Sequence, residues 1–237
     1  MPIGNDLVDL RSREAVGKAR DVRFIARVFT AREAERIRGS SNRDNMLWLL
    51  WAGKEAAYKV AKKLSPGAIF AHSAYEVVLD SSPVAADLAD GAANGTGHVV
   101  IHGMKRLHDL HLALEWSATA SYIHCLAMED KGDFRALKIA VATRDEIDRS
   151  AHAYEPTERE QASLSLPPAE QSLAVRRLAR ALAAEAGLGD VEIVRHWNGS
   201  RFDPPRLYPR HGALPIPDWD ITLSHDGDLS AVALGPA

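Results

Sequence analysis

The chain has 237 residues, 46% hydrophobic and 26% charged, which is enough to bury a real core in one larger domain or two small ones. A net charge of -3 gives no general attraction to nucleic acid or anionic lipid, so anion binding must come from local clusters of Lys and Arg. Cys125, the single cysteine, excludes an intramolecular disulfide and a cysteine-based zinc site, and its neighbours in YIHCLAM predict a buried thiol. MPIGNDLVDL lacks a basic region followed by an apolar run, and no window approaches the length of apolar chain that spans a bilayer; the expected compartment is the cytoplasm, with no membrane partner.

In chain order, residues 2–10 read as a short strand and turn, and 11–38 as one or two amphipathic helices. Thr30 followed by Glu33 has the spacing of a capping box and predicts a helix start. Residues 44–64 predict a longer helix, ended by Ser65-Pro66-Gly67. On that helix Glu55 shares a face with Trp48, Trp51 and Tyr58, with Lys59 four residues on. An exposed ion pair is one reading, but the aromatic neighbours favour burial, where a carboxylate needs a cation or metal to offset its desolvation.

AYEVVLD, GHVVIHGM, LHLALEWSAT and YIHCLAMED are apolar, partly alternating runs that suit an antiparallel sheet. Glu129 to Asp133 looks like a linker. The order then recurs: a strand ALKIAVAT, a helical region at about 144–163, a long helix SLAVRRLARALAAEAG, and strands VEIVRHW, WDITLSHD and LSAVALG. The expected architecture is therefore α+β, with two tandem repeats over 1–131 and 134–237 forming a pseudo-twofold dimer within one chain. Aligning the repeats places Ser117-Ala118 opposite Ser224-His225, so each half carries part of one site.

Asp6 lies near the end of the first strand, with Asp9 three residues on; a turn or helix cap is the plain alternative to a ligand. Two oxygen ligands, Asp6 and Glu55, with water and phosphate completing the shell, is an arrangement expected for Mg²⁺. Arg201, Arg206 and Arg210 fall in a Pro-rich segment read as a loop, and Arg176, Arg177 and Arg180 on one helix; each set is either a solvated basic patch or a phosphate contact. No Gly-rich phosphate fingerprint is present, and Ser224, His225 and Asp226 are too close in sequence to form a triad among themselves.

Together these segments resemble the 4'-phosphopantetheinyl transferase superfamily. IGNDLVDL resembles the Gly-Ile-Asp segment of the holo-acyl-carrier-protein synthase type, RFIARVFTAREAE its Phe-Thr-x-x-Glu segment, and WAGKEAAYK its Trp-x-x-Lys-Glu-Ala-x-x-x-Lys signature. LSHDG resembles the Ser-His segment of the two-repeat members. Here the Lys-Glu half comes first, the reverse of the familiar order, Asn5 replaces an apolar residue before Asp6, and position 8 is Val8. The basic residue usual early on the helix of the Ser-His half is hard to place, with Gln171 nearest.

The resemblance implies transfer of 4'-phosphopantetheine from coenzyme A to a serine of an apo acyl or peptidyl carrier protein, releasing adenosine 3',5'-bisphosphate. It implies Mg²⁺ on Asp6 and Glu55, Glu55 as base, Lys59 on the leaving phosphate, and Lys54 as a further cofactor contact. Ser224 and His225 would reach coenzyme A phosphates across the repeat interface, with Arg176 and Arg206 as further candidates, and Glu33 would support the metal site. Arg20, Arg23 and Arg27 are the expected docking residues for an acidic carrier. A monomer is expected, since an internal pseudo-dimer needs no partner subunit. The alternatives are an inactive homologue that binds coenzyme A or a carrier protein, and an unrelated metal-dependent phosphohydrolase.

Overall fold

Ile3–Asp9, the first apolar run, is a strand (β1) in which every residue is buried. The chain then turns, and Asp21 caps a short helix, α1 (Val22–Val28), by accepting from the Phe24 backbone N–H. Thr30 starts α2 (Ala31–Gly39) with a complete capping box to Glu33, as its spacing predicts. Asn42 caps α3 (Arg43–Leu64), which carries Asp44 in its first turn and Lys62 and Lys63 in its last, the charge order that suits the helix dipole.

These elements are seen in a computed structural model, which describes residues 1–80, 93–103, 110–150, 155–164 and 169–237. Two compact units emerge: Gly4–Gly132, and Asp133–Ala237 together with Met1–Ile3. The mixed α+β class expected from the sequence is the class observed.

In the first unit β2 (Tyr75–Leu79), β3 (Ala93–Ile101), β4 (Leu110–Ala118) and β5 (Tyr122–Glu129) join β1 in one sheet of order β1-β5-β4-β3-β2. Neighbours from β2 to β5 run antiparallel, with Tyr75 opposite Ile101, Val99 opposite Leu112 and Ser117 opposite His124. Helix α3 lies on this sheet, chiefly against β5. Leu47, Leu50, Ala57 and Val60 from the helix bury with Val77, Val99, Leu114 and Cys125 from the strands. Burial of this apolar surface, worth roughly 25 cal/mol per Å², holds helix and sheet together. Cys125 is fully buried, its Sγ 3.7 Å from the Leu49 carbonyl, which is the structural role its neighbours predict.

The second unit repeats the element order: β6 (Lys138–Thr143), α4 (Arg144–Arg149), α5 (Glu158–Ala162), α6 (Glu170–Glu185), β7 (Val191–Val194), β8 (Arg206–Pro209), β9 (Trp219–Asp226) and β10 (Leu229–Pro236). Its strands form a sheet β6-β10-β9 and a separate pair β7-β8. Val175, Ala179 and Leu182 of α6 pack with Ile193, Leu207, Ile221 and Val232. Strand β8 corrects the expected Pro-rich loop. Leu207 and Tyr208 are buried and pair with Ile193 and Glu192, but a four-residue strand that follows Pro205 and ends on Pro209 is too short to show an alternating pattern. Residues 151–154 of the expected helical region, and Met104 of an expected strand, lie outside the described residues. Among the described residues no helix is long and apolar enough to cross a membrane.

Candidate active site

Two backbones meet closely where β1 runs beneath α3. A Cβ added to Gly4 would stand 2.0 Å from the carbonyl oxygen of Ala56, so only glycine lets the strand approach the helix at this point. The contact sets the register of the two elements. Asp6 comes two residues after Gly4 on β1, and Glu55 and Lys59 flank Ala56 on α3.

The structure brings Asp6, Glu55 and Lys59 together. Lys59 Nζ donates to Asp6 Oδ1 at 3.0 Å and to the carbonyl oxygen of Asn5 at 2.6 Å. Asp6 is only 9% exposed. The Glu55 carboxyl is pushed up to about 7, first by burial, then by the negative charge of Asp6, with Lys59 pulling the other way. Asp9, by contrast, forms a bidentate pair with Arg11 at 2.9 Å for each contact.

The aromatic face of α3 forms one wall beside Glu55. Trp51 stacks on His72 with centroids 5.1 Å apart and lies 5.7 Å from Phe24, while Tyr58 stacks on Phe70 at 4.9 Å. A low-dielectric wall strengthens any charge interaction beside it.

Glu33 and Lys54 form a separate, deeper pair with side-chain exposures of 1% and 0%, and their nitrogen and oxygen lie 2.7 Å apart. The other Lys54 acceptors are the carbonyls of His72, at 3.1 Å, and Tyr75. Three protons with three acceptors leave this ammonium none for a ligand, which corrects the expected cofactor contact: Lys54 is structural. The reason is helical phase, since position 54 points about 100° away from position 55 and into the core. Glu33 also accepts from the Thr30 and Val77 backbone N–H groups, each at 2.8 Å, so one carboxylate ties α2 to α3 and β2.

The second unit carries the same device. Glu160 closes a capping box with Thr157, accepts from the Ile193 backbone N–H at 2.9 Å, and has Arg180 of α6 3.9 Å away. The sequence reading missed Glu160, although Thr157-Glu158-Arg159-Glu160 repeats the Thr-x-Arg-Glu of Thr30 to Glu33.

Also in the second unit, Ser224 and His225 are adjacent on β9, Ser224 buried and His225 exposed, so their side chains leave opposite faces of the strand. Arg176 is 3% exposed and donates to the Ser172 carbonyl at 3.0 Å, while Arg206 opens β8 and is exposed. The two arginines thus stand on different elements, one on α6 and the other on β8.

Sequence reasoning also missed His124, buried on β5 with Nε2 3.5 Å from Asn5 Nδ2. Burial, and secondarily the charge of Lys59, lower its pKa to about 4, so the ring is neutral at pH 7. Arg20, Arg23 and Arg27 are all exposed. Arg20 lines a cleft of about 680 Å³ together with Val22, Ile25, Ala26, Arg38 and Arg43.

Among the described residues no group of three or more His, Cys, Asp or Glu gathers to hold a metal. A divalent ion at Asp6 and Glu55 would therefore meet two carboxylates, a hard oxygen set that suits Mg²⁺ with water and phosphate completing its shell.

No curated protein matches the sequence. Among solved structures, holo-[acyl-carrier-protein] synthase of Thermotoga maritima is similar over 67% of this chain and 79% of its own, with 14% identity and a TM-score of 0.37. The family model of the 4'-phosphopantetheinyl transferase superfamily matches residues 2–94, the stretch that contains Asp6, Glu33, Glu55 and Lys59.

Proposed function

We propose that the protein transfers the 4'-phosphopantetheine group of coenzyme A to a serine of an apo acyl or peptidyl carrier protein, with Mg²⁺, releasing adenosine 3',5'-bisphosphate. The observation that carries this reading is the convergence of Asp6, Glu55 and Lys59 within the segment that the family model covers.

In the transfer, the serine oxygen forms a bond to the phosphorus next to the pantetheine arm, and the bridging P–O bond of the diphosphate breaks. The serine proton needs an acceptor, and Glu55 is the proposed base. Lys59 would place a positive charge beside the leaving phosphate. Mg²⁺, when bound by Asp6 and Glu55, would neutralise and align the diphosphate. Ser224 and His225 remain the proposed contacts to coenzyme A, with Arg176 and Arg206, and the exposed Arg20, Arg23 and Arg27 the proposed carrier-docking residues.

The test is to incubate the protein with coenzyme A, Mg²⁺ and a panel of apo carrier proteins and follow carrier mass. Gain of one phosphopantetheine, lost in Asp6→Ala with the circular dichroism unchanged, is expected. Coenzyme A binding without mass gain on any carrier would instead favour the binding homologue. Coenzyme A breakdown without a carrier would favour a hydrolase.

A further inference from the structure

Lys59 stands one helical turn after Glu55, and its ammonium is turned to the strand. Nζ holds the Asn5 carbonyl at 2.6 Å and Asp6 Oδ1 at 3.0 Å, and Lys59 also bears electrostatically on Glu55. An ammonium lying between a carbonyl oxygen and a carboxylate, beside a second carboxylate, has the surroundings of a bound hard cation. Its side chain is 27% exposed, so it has room to swing away, whereas Asp6, at 12% on the same measure, is held in a fully buried strand.

The transfer reading asks two things of the same atoms. Asp6 must give its carboxylate to a divalent ion, and Lys59 must give its ammonium to a phosphate. The two demands compete while Nζ bonds Asp6 Oδ1, because a dication drawn to the same carboxylate would repel an ammonium retained beside it.

We infer that Lys59 is the resident counter-ion of the Asp6–Glu55 pair and that a divalent cation enters by exchange, displacing Nζ from Asp6 and freeing the ammonium for phosphate. The inference rests on the metal reading above and adds an order of events. Metal binds more weakly than two carboxylates alone would allow, because it must first break the lysine's contacts. A diphosphate ligand then tightens metal binding, because it offers the displaced ammonium a new acceptor, and by reciprocity the metal tightens the diphosphate.

The experiment measures Mn²⁺ binding to the full chain by electron paramagnetic resonance at pH 8.5 without coenzyme A, for wild type, Lys59→Met, Lys59→Gln and Lys59→Arg. Circular dichroism identifies the folded variants. Removing the competing charge should tighten Mn²⁺ binding about three- to tenfold in Lys59→Met and Lys59→Gln, the scale of a half-buried ion pair, while Lys59→Arg stays near wild type. Equal or weaker Mn²⁺ binding in the folded neutral variants, with normal binding by wild type, overturns the exchange. Failure of wild type and every variant to bind Mn²⁺ overturns the metal reading itself, and the exchange falls with it.

Discussion

Glu55→Gln isolates the electrostatic state of the site without changing its shape. In the folded chain the Glu55 carboxyl titrates near 7, against 4.5 for the free group, because burial and the charge of Asp6 disfavour its ionisation. An acid with a raised folded pKa binds more protons folded than unfolded between those two values. Its ionisation therefore costs no stability below pH 4.5, costs progressively more as pH rises through the window, and reaches its full cost above pH 7. The rise from 4.5 to about 7 corresponds to roughly 3 kcal/mol, which partial exposure reduces to about 2 kcal/mol.

Glutamine stays neutral throughout. The variant should match wild type near pH 4.5 and exceed it by about 2 kcal/mol at pH 8. Urea unfolding with EDTA present, followed by tryptophan fluorescence, reads this directly, since Trp48 and Trp51 lie on the same helix face as Glu55. The neutral burial of His124 works the other way, costing stability as pH falls from its usual range toward about 4, so the difference between the two proteins is the informative quantity. Parallel stability curves for wild type and Glu55→Gln from pH 4.5 to 8 would refute the assignment.

Gly4→Ala should destabilise the chain by about 2–4 kcal/mol in urea unfolding, because its Cβ meets a backbone oxygen at 2.0 Å, whereas Gly39→Ala, with nothing within 4 Å, should be neutral or stabilising. Lys54→Met should cost about 3–5 kcal/mol by leaving the Glu33 carboxylate buried without its cation, and Glu33→Gln combined with it should recover part of the loss. A Lys54→Met protein of normal stability and raised KM for coenzyme A would restore the cofactor role. His225→Ala, at an exposed strand position, should change stability by less than about 0.5 kcal/mol and chiefly raise the KM for coenzyme A, as steady-state kinetics would show.

The helix of Glu55 was legible because the apolar period marks its body and Ser65-Pro66-Gly67 its end, and its start at Arg43 falls one residue before the expected one. That Asp6 and Lys59 share one site was legible only through motif resemblance, for nothing local joins a strand residue to a helix 53 positions later, and their direct pairing was not legible at all. Lys54 was given to the cofactor through the motif resemblance alone; its acceptor is Glu33 on another helix, which no periodicity reveals. Strand β8 failed for the opposite reason. Its order comes from pairing with β7, and its proline-flanked local sequence argues against a strand.

The Gly4–Ala56 contact has a consequence for how this protein can change over time. The spacing between the two carboxylate-bearing elements is set where main chain touches main chain, not by the side chains that fill the interior. Substitutions among Leu47, Leu50, Val60 and Leu114 can trade volume with one another while the seat of Asp6 and Glu55 stays registered by the glycine. Drift in the core and precision at the site are thereby mechanically uncoupled, and Gly4, which carries no chemistry, becomes a position with little freedom to vary.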